Sequence, residues 1–204
     1  MKKLLFATGN VAKVNRFKDK LKEKGIELLS LKDINTCIDV DENGKDAIEN
    51  ALIKARAYYG ETNMSVMAMD DSLYIDNVPE DRQPGLFVRR VGGTTLDDES
   101  MINYYSDLVN QYGIGGKLNA RWVYGMALIV DGKEYTYTWS KSDFWLVDTP
   151  TYKRNIGYPL NSISKNIALG KYFTDMTEVD WKSQQENEDH VIDFLNNNLN
   201  KNIR

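Results

Sequence analysis

An α/β fold that opens on parallel β-α units follows from three observations. The first is an apolar run over 4–7 that gives way at Thr8-Gly9-Asn10 to apolar positions at helical spacing: Val11, Val14, Phe17 and Leu21. The second is the same strand-then-helix order repeated over 26–60. The third is a short apolar strand over 65–69 that delivers Asp70 and Asp71 at its carboxyl end, the edge at which open α/β sheets bind ligands.

Taken in order, residues 4–7 read as a strand buried on both faces, and the helix after it runs to Gly25. Residues 26–31 form a second strand. Asp46 caps a helix whose apolar face includes Ile48, Ala51, Leu52 and Ala55, ending near Gly60. Residues 77–95, with Pro79, Pro84, Gly85, Gly92 and Gly93, are loop-rich, and Asp97 caps a helix to about Tyr112. After the break at 113–116, strands over 121–130 and 133–140 flank Asp131-Gly132, a hairpin signal, and a third strand over 144–147 extends that sheet. Val191, Ile192, Leu195 and Leu199 mark a final helix. At 204 residues the chain is expected to be a single domain, 1–204, with two lobes.

A net charge of −4 offers no basic face for polymeric nucleic acid, and no apolar stretch approaches the ~20 residues that span a membrane. The apolar run after Lys2-Lys3 stops at Ala7, too short for a leader peptide. Cys37 is the single cysteine, so it forms no internal disulfide; it is expected to be a buried or half-buried hydrophobe in a reducing cytoplasm.

The first turn is built for an anion. A glycine between strand and helix lets the chain bend, leaves helix amides pointing outward, and sets Thr8 and Asn10 beside them, with Lys13 one turn on. The alternative is that Asn10 caps the helix and Lys13 is solvated. On the second helix Glu49 supports the helix dipole, while Asn50 and Lys54 share a face from which the lysine reaches phosphate. The loop carrying Asp41 and Glu42 is either solvated or near a metal. Asp70 and Asp71 repel each other and lose hydration unless hydrogen bonds or a cation such as Mg²⁺ compensate, and strand alternation points them in opposite directions. The alternative is a pair of turn aspartates ahead of Ser72. The set as a whole reads as a nucleoside triphosphate site.

These residues resemble the inosine triphosphate pyrophosphatase family, through Ala7-Thr8-Gly9-Asn10-Val11-Ala12-Lys13, Glu42-Asn43-Gly44 leading into 48–55, Asp70-Asp71-Ser72, and Pro84-Gly85 with Arg90. The resemblance implies an α/β fold with an elongated mixed central sheet and helical lobes flanking a nucleotide-binding cleft. It also implies a homodimer that uses Mg²⁺ to hydrolyse non-standard purine nucleoside triphosphates such as ITP, dITP and XTP to monophosphate and pyrophosphate. Thr8, Gly9, Asn10, Lys13, Asn50, Lys54, Ser72 and Arg90 would then contact substrate. Glu42 and Asp71 would hold the metal, Asp71 would also activate water, and Lys13 and Lys54 would stabilise departing charge.

The chain departs from the family in its nucleobase half. Leu73-Tyr74 follows Asp70-Asp71-Ser72 where the family has Gly-Leu, and the family's Phe-Gly-Tyr-Asp-Pro is reduced to Ile156-Gly157-Tyr158-Pro159, leaving Tyr158 to stack on a base. Gln184 takes the place of a base-reading lysine, and Glu188-Asp189-His190 that of Ser-His-Arg. His190 is either the family histidine shifted by one position or a surface histidine. Because acceptors replace donors, the expectation is a changed preference towards bases bearing an exocyclic amine. The alternative function is a catalytically degenerate protein that binds or senses a nucleotide.

Overall fold

The computed structural model describes residues 1–183 and 188–201. The two β-α units form as the apolar pattern requires. Strand β1 (Lys2–Phe6) pairs in parallel with β2 (Ile26–Ser30), in register from Lys2↔Ile26 to Phe6↔Ser30. Helix α1 (Val11–Glu23) lies between them in sequence and buries Val14, Phe17 and Leu21. Helix α2 (Ala47–Thr62) is capped by Asp46, whose side chain accepts the Glu49 N–H. It runs through Gly60 rather than ending there. Asn63, with φ of 52°, takes the left-handed cap position, which asparagine tolerates almost as glycine does.

Strand β3 corrects the expectation most relevant to function. It spans Val66–Ile75 and does not stop at Met69, so Asp70 and Asp71 lie inside a strand. The alternation continues because Leu73 and Ile75 are both buried, and Leu73 exchanges two backbone hydrogen bonds with Gly85 at 2.9 and 3.0 Å. The parallel register, Leu5↔Val66 and Phe6↔Met67, still leaves both aspartates past the end of β1.

Strands β4 (Arg90–Val91) and β5 (Thr94–Thr95) pair around Gly92-Gly93 in the otherwise loop-rich segment, and α3 (Asp98–Tyr112) starts from an Asp97 cap. Strands β6 (Lys117–Val130) and β7 (Lys133–Val147) flank Asp131 and Gly132, with φ of 50° and 73°, the left-handed pair that a two-residue hairpin turn needs. Residues 144–147 are the end of β7, not a third strand, because in-out alternation persists across 140–143. Strand β8 (Ser164–Asn166), α4 (Glu178–Ser183) and α5 (Asp189–Asn200) complete the chain. The mixed central sheet has the order β2-β1-β3-β6-β7-β8.

Two compact units emerge. The first comprises 1–71, 124–139 and the described residues from 188 on. Its core includes Leu5, Ala51, Ala55, Tyr58, Val66, Ala68, Ala127 and Ile129. The second comprises 72–123 and 140–183, around Leu73, Ile102, Tyr105, Leu118, Phe144 and Ile163. Cys37 is exposed, against expectation, because Ile34, Ile38 and Val40 on the same loop are the side chains that turn onto the first core. No described helix is long and apolar enough to cross a membrane.

Candidate active site

In the first unit the turn after β1, the start of α2 and the middle of β3 bring opposite charges together. The Thr8 hydroxyl accepts the Asn10 N–H at 3.1 Å, and Asn10 Oδ1 accepts the Ala12 and Lys13 N–H groups at 2.9 and 3.3 Å. Asn10 is therefore the helix cap. Lys13, however, is not solvated: its ammonium lies 2.7 Å from Asp71 Oδ2. Gly9 has no left-handed φ, and a Cβ built on it would meet nothing within 4 Å, so neither backbone strain nor crowding within the chain requires glycine there.

In the acidic loop Glu42 is anchored, while Asp41 beside it is exposed. Lys54 reaches back from α2 to Glu42 at 2.8 Å. Asn50, which is buried, accepts the Gly44 N–H at 2.8 Å and donates to Asp70 Oδ2 at 2.8 Å, so its amide serves to hold loop and strand. Any side chain at Gly44 would press on Glu49 and Asn50, which is why the loop turns there on a glycine. Glu49 bonds the Lys45 backbone and ammonium, the helix-start role read from sequence.

The two aspartates differ as strand alternation requires. Burial pushes the Asp70 carboxyl above the ordinary carboxylate range; Lys54 and the Asn50 amide pull it back without cancelling the shift, and the Asp71 charge adds to it. Asp71 faces Lys13 with Oδ2, while its buried Oδ1 accepts no hydrogen bond among the described residues. A pKa raised on folding means that the folded state binds more protons, so stability falls as pH rises above the unfolded carboxylate value. In metal-free protein Asp70→Asn, which keeps an amide oxygen in place, is thus expected to melt higher than wild type at pH 7. The gain should vanish as pH falls below the ordinary carboxylate value. Thermal melts across pH 3–8 measure it, and a gain independent of pH would contradict this origin.

A second group on α1 was not read from the sequence. Arg16, one turn beyond Lys13, binds both carboxylate oxygens of Glu188, with Nε at 3.0 Å, and its guanidinium lies 5.1 Å from the Tyr124 ring. Tyr124 stacks on Trp139 at 4.9 Å, and burial raises its phenol far above the usual range against the pull of Arg16, with the charges of Asp71 and Glu188 adding to the rise. Lys20 pairs with Asp189 at 3.1 Å. One face of α1 therefore carries Lys13, Arg16 and Lys20, each against a carboxylate. His190 is exposed, and its Nδ1 lies 3.1 Å from the Tyr137 hydroxyl beside Trp139. Gln184 lies outside the described residues.

Ser72, Arg90 and Tyr158 belong to the second unit. Ser72 is buried and donates to the Val123 carbonyl at 3.3 Å. Arg90 is exposed, its guanidinium 4.7 Å from the Phe87 ring. Tyr158 is half-buried at the start of a short 3-10 turn, Pro159–Ser162.

The arrangement joins a helix-start turn, two lysines and two carboxylates, components suited to binding and hydrolysing a phosphoanhydride. Comparison with known proteins agrees. Residues 4–180 match the Ham1 family model. The dITP/XTP pyrophosphatase of Bacillus subtilis is 30% identical over 159 residues, covering 78% of each chain, and that of Oceanobacillus iheyensis is 29% identical over 198 residues, covering 96% of each. Among solved structures, the Staphylococcus aureus Ham1 protein superposes with a TM-score of 0.71 at 23% identity, covering 97% of this chain and 98% of its own. A Ham1 protein from Coxiella burnetii gives 0.73 at 19% identity, covering 98% of each, so the fold is shared well beyond the sequence. The chain belongs to the Ham1 family, as its motifs implied, and is an enzyme of the pyrophosphatase class that its relatives represent.

Proposed function

We propose that the protein hydrolyses a non-standard purine nucleoside triphosphate, of the dITP, ITP or XTP kind, to the monophosphate and pyrophosphate. The observation that carries this reading is Asp71, paired through one oxygen with Lys13 while its other buried oxygen has no partner among the described residues. The names of the relatives support the substrate class.

The buried, unpartnered Asp71 oxygen supports assigning a divalent cation such as Mg²⁺ to this site. Among the described residues no three His, Cys, Asp or Glu side chains gather into a cage, and Mg²⁺ is commonly held by one or two carboxylates completed by substrate phosphates and water. Asp71 and Glu42 are the carboxylates assigned to it. When bound, the ion neutralises phosphate charge and orients the chain of phosphates. Every other role falls to side chains. Thr8, Asn10 and the open backbone at Gly9 receive phosphate oxygens, and close phosphate approach accounts for a glycine that the fold itself does not demand. Asp71 takes the proton from the attacking water as its oxygen bonds to phosphorus and the α–β phosphoanhydride opens. Lys13 and Lys54, released from Asp71 and Glu42, stabilise the negative charge on pyrophosphate. Asn50 keeps Asp70 and the Gly44 turn in position. Ser72, Arg90, Tyr158 and His190 are assigned to the nucleoside end, and the working form is taken as a cytoplasmic homodimer.

The base preference is read with the pairs on α1 in view. Glu188 is engaged by Arg16 and Asp189 by Lys20, so an amine-bearing base would have to share each of these acceptors with a cation. This favours 6-oxo purines. The test is pyrophosphate release across standard, deaminated and amino-modified nucleoside triphosphates, with and without Mg²⁺. Turnover at least about tenfold faster on dITP, ITP or XTP, abolished by chelator, is expected, tenfold being only about 1.4 kcal/mol of discrimination. Activity confined to amine-bearing bases would return base reading to Glu188 and Asp189. Binding without turnover would identify a nucleotide sensor.

A further inference from the structure

The second unit contains a pocket of about 330 Å³ that the proposed reaction does not use. Strands β7 and β8 place Trp145 opposite Lys165, and Lys165 bridges in turn to Tyr172. The Lys117 ammonium lies 4.0 Å from the Trp145 ring centre, and that of Lys165 lies 4.4 Å from the Tyr172 ring centre. Cations and aromatic rings thus alternate along the lining.

Two features distinguish this pocket, although Lys117 and Thr149 in its lining are exposed. Among the described residues neither ammonium has a carboxylate within ion-pair distance, unlike Lys13, Lys20 or Lys54. A ring face fixes a cation's position but leaves its charge uncancelled, so the lining carries two positive charges against the single carboxylate of Asp148. The remaining wall is also fixed. The Asp148 N–H donates to the Gly116 carbonyl at 3.1 Å, and Gly116, at φ of 71°, has no room for a Cβ against the Asp148 carboxylate. Thr149 donates its hydroxyl to Asp148 Oδ1 at 2.9 Å, and the Tyr172 hydroxyl donates to the Thr149 carbonyl at 2.6 Å.

We propose that this pocket binds a planar organic anion of nucleoside monophosphate size, separately from the reaction site. The two ammoniums, seated over the Trp145 and Tyr172 rings, take the anionic group, the planar body lies against the ring surface they leave uncovered, and Asp148 accepts an N–H or O–H from it. The volume is at the low end for ligand pockets and far exceeds a bare phosphate. The assignment rests on the pocket alone and stands whether or not the protein hydrolyses nucleotides.

Trp145 is a local reporter. Titration of intrinsic fluorescence with IMP is expected to give a saturable change that Trp145→Phe removes. Lys117→Met with Lys165→Met should weaken it at least about tenfold, while Lys165→Arg retains it. Inosine and inorganic phosphate, each carrying half of the recognised chemistry, should bind at least about tenfold more weakly than IMP. Melting curves establish that each variant is folded. Neither lysine variant should alter pyrophosphate release measured without added monophosphate. An IMP response unchanged by the double lysine variant, or inosine or phosphate binding as tightly as IMP, would overturn the proposal. If the double variant does not fold, the single Lys165→Gln decides on the same terms.

Discussion

Asp71→Asn is expected to lower kcat for pyrophosphate release by about 10³-fold, within the range that a positioned proton acceptor contributes. The asparagine has the same shape, and its oxygen still accepts from Lys13, so the 2.7 Å contact survives as a hydrogen bond while charge and basicity are lost. The melting temperature should stay within a few degrees of wild type, because the side chain is only partly buried and its contact with Lys13 survives. Steady-state kinetics beside a thermal melt separates the two. A large kcat loss with an unchanged melt supports the assigned role, and a variant retaining near-wild-type kcat would remove Asp71 from the chemistry.

The largest expected effect on folding is at a residue with no chemistry. Gly125 lies in β6 where α2 begins, and a Cβ built on it would overlap the carbonyl carbon of Ala47 and the nitrogen of Ile48. Backbone cannot swing aside as a flexible side chain does, so Gly125→Ala must push the start of α2 away from the sheet. The cost is set at about 3 kcal/mol or more, the upper end for overpacking, which for a domain of this size lowers the melting temperature by about 10 °C. Because Asn50 and Lys54 ride on that helix, activity should fall with stability. A variant with unchanged melting temperature would show that the helix start can yield.

The legible parts of this fold were those set by neighbours in sequence. Asn10 and Asp46 signal their helices because a capping side chain acts on amides two or three positions away, and Asp131-Gly132 announces its hairpin because the turn needs two left-handed residues in a row. The phosphate-site candidates were legible for the same reason: Lys13 follows its turn by one helical repeat. What escaped depends on distant chain. The pair between Arg16 and Glu188 joins residues 172 positions apart. The continuation of β3 past Asp71 depends on Gly85 arriving beside Leu73. Gly125 reads as an ordinary strand glycine until α2 is packed against it, and Cys37 as a buried hydrophobe until Ile38 and Val40 take the inward positions. Acceptors at 188 and 189 suggested an amine-bearing base, and the cations they pair with on α1 lie too far away in sequence to have been read beside them.

The claim that Lys13, Asp71, Lys54 and Glu42 form one hydrolytic site is tested most directly by the products. With dITP, Mg²⁺ and wild-type protein, the account predicts dIMP and pyrophosphate in equal amounts, with no orthophosphate, and neither product above background for Asp71→Asn. Release of orthophosphate with dIDP, or undiminished pyrophosphate release by Asp71→Asn, would contradict it.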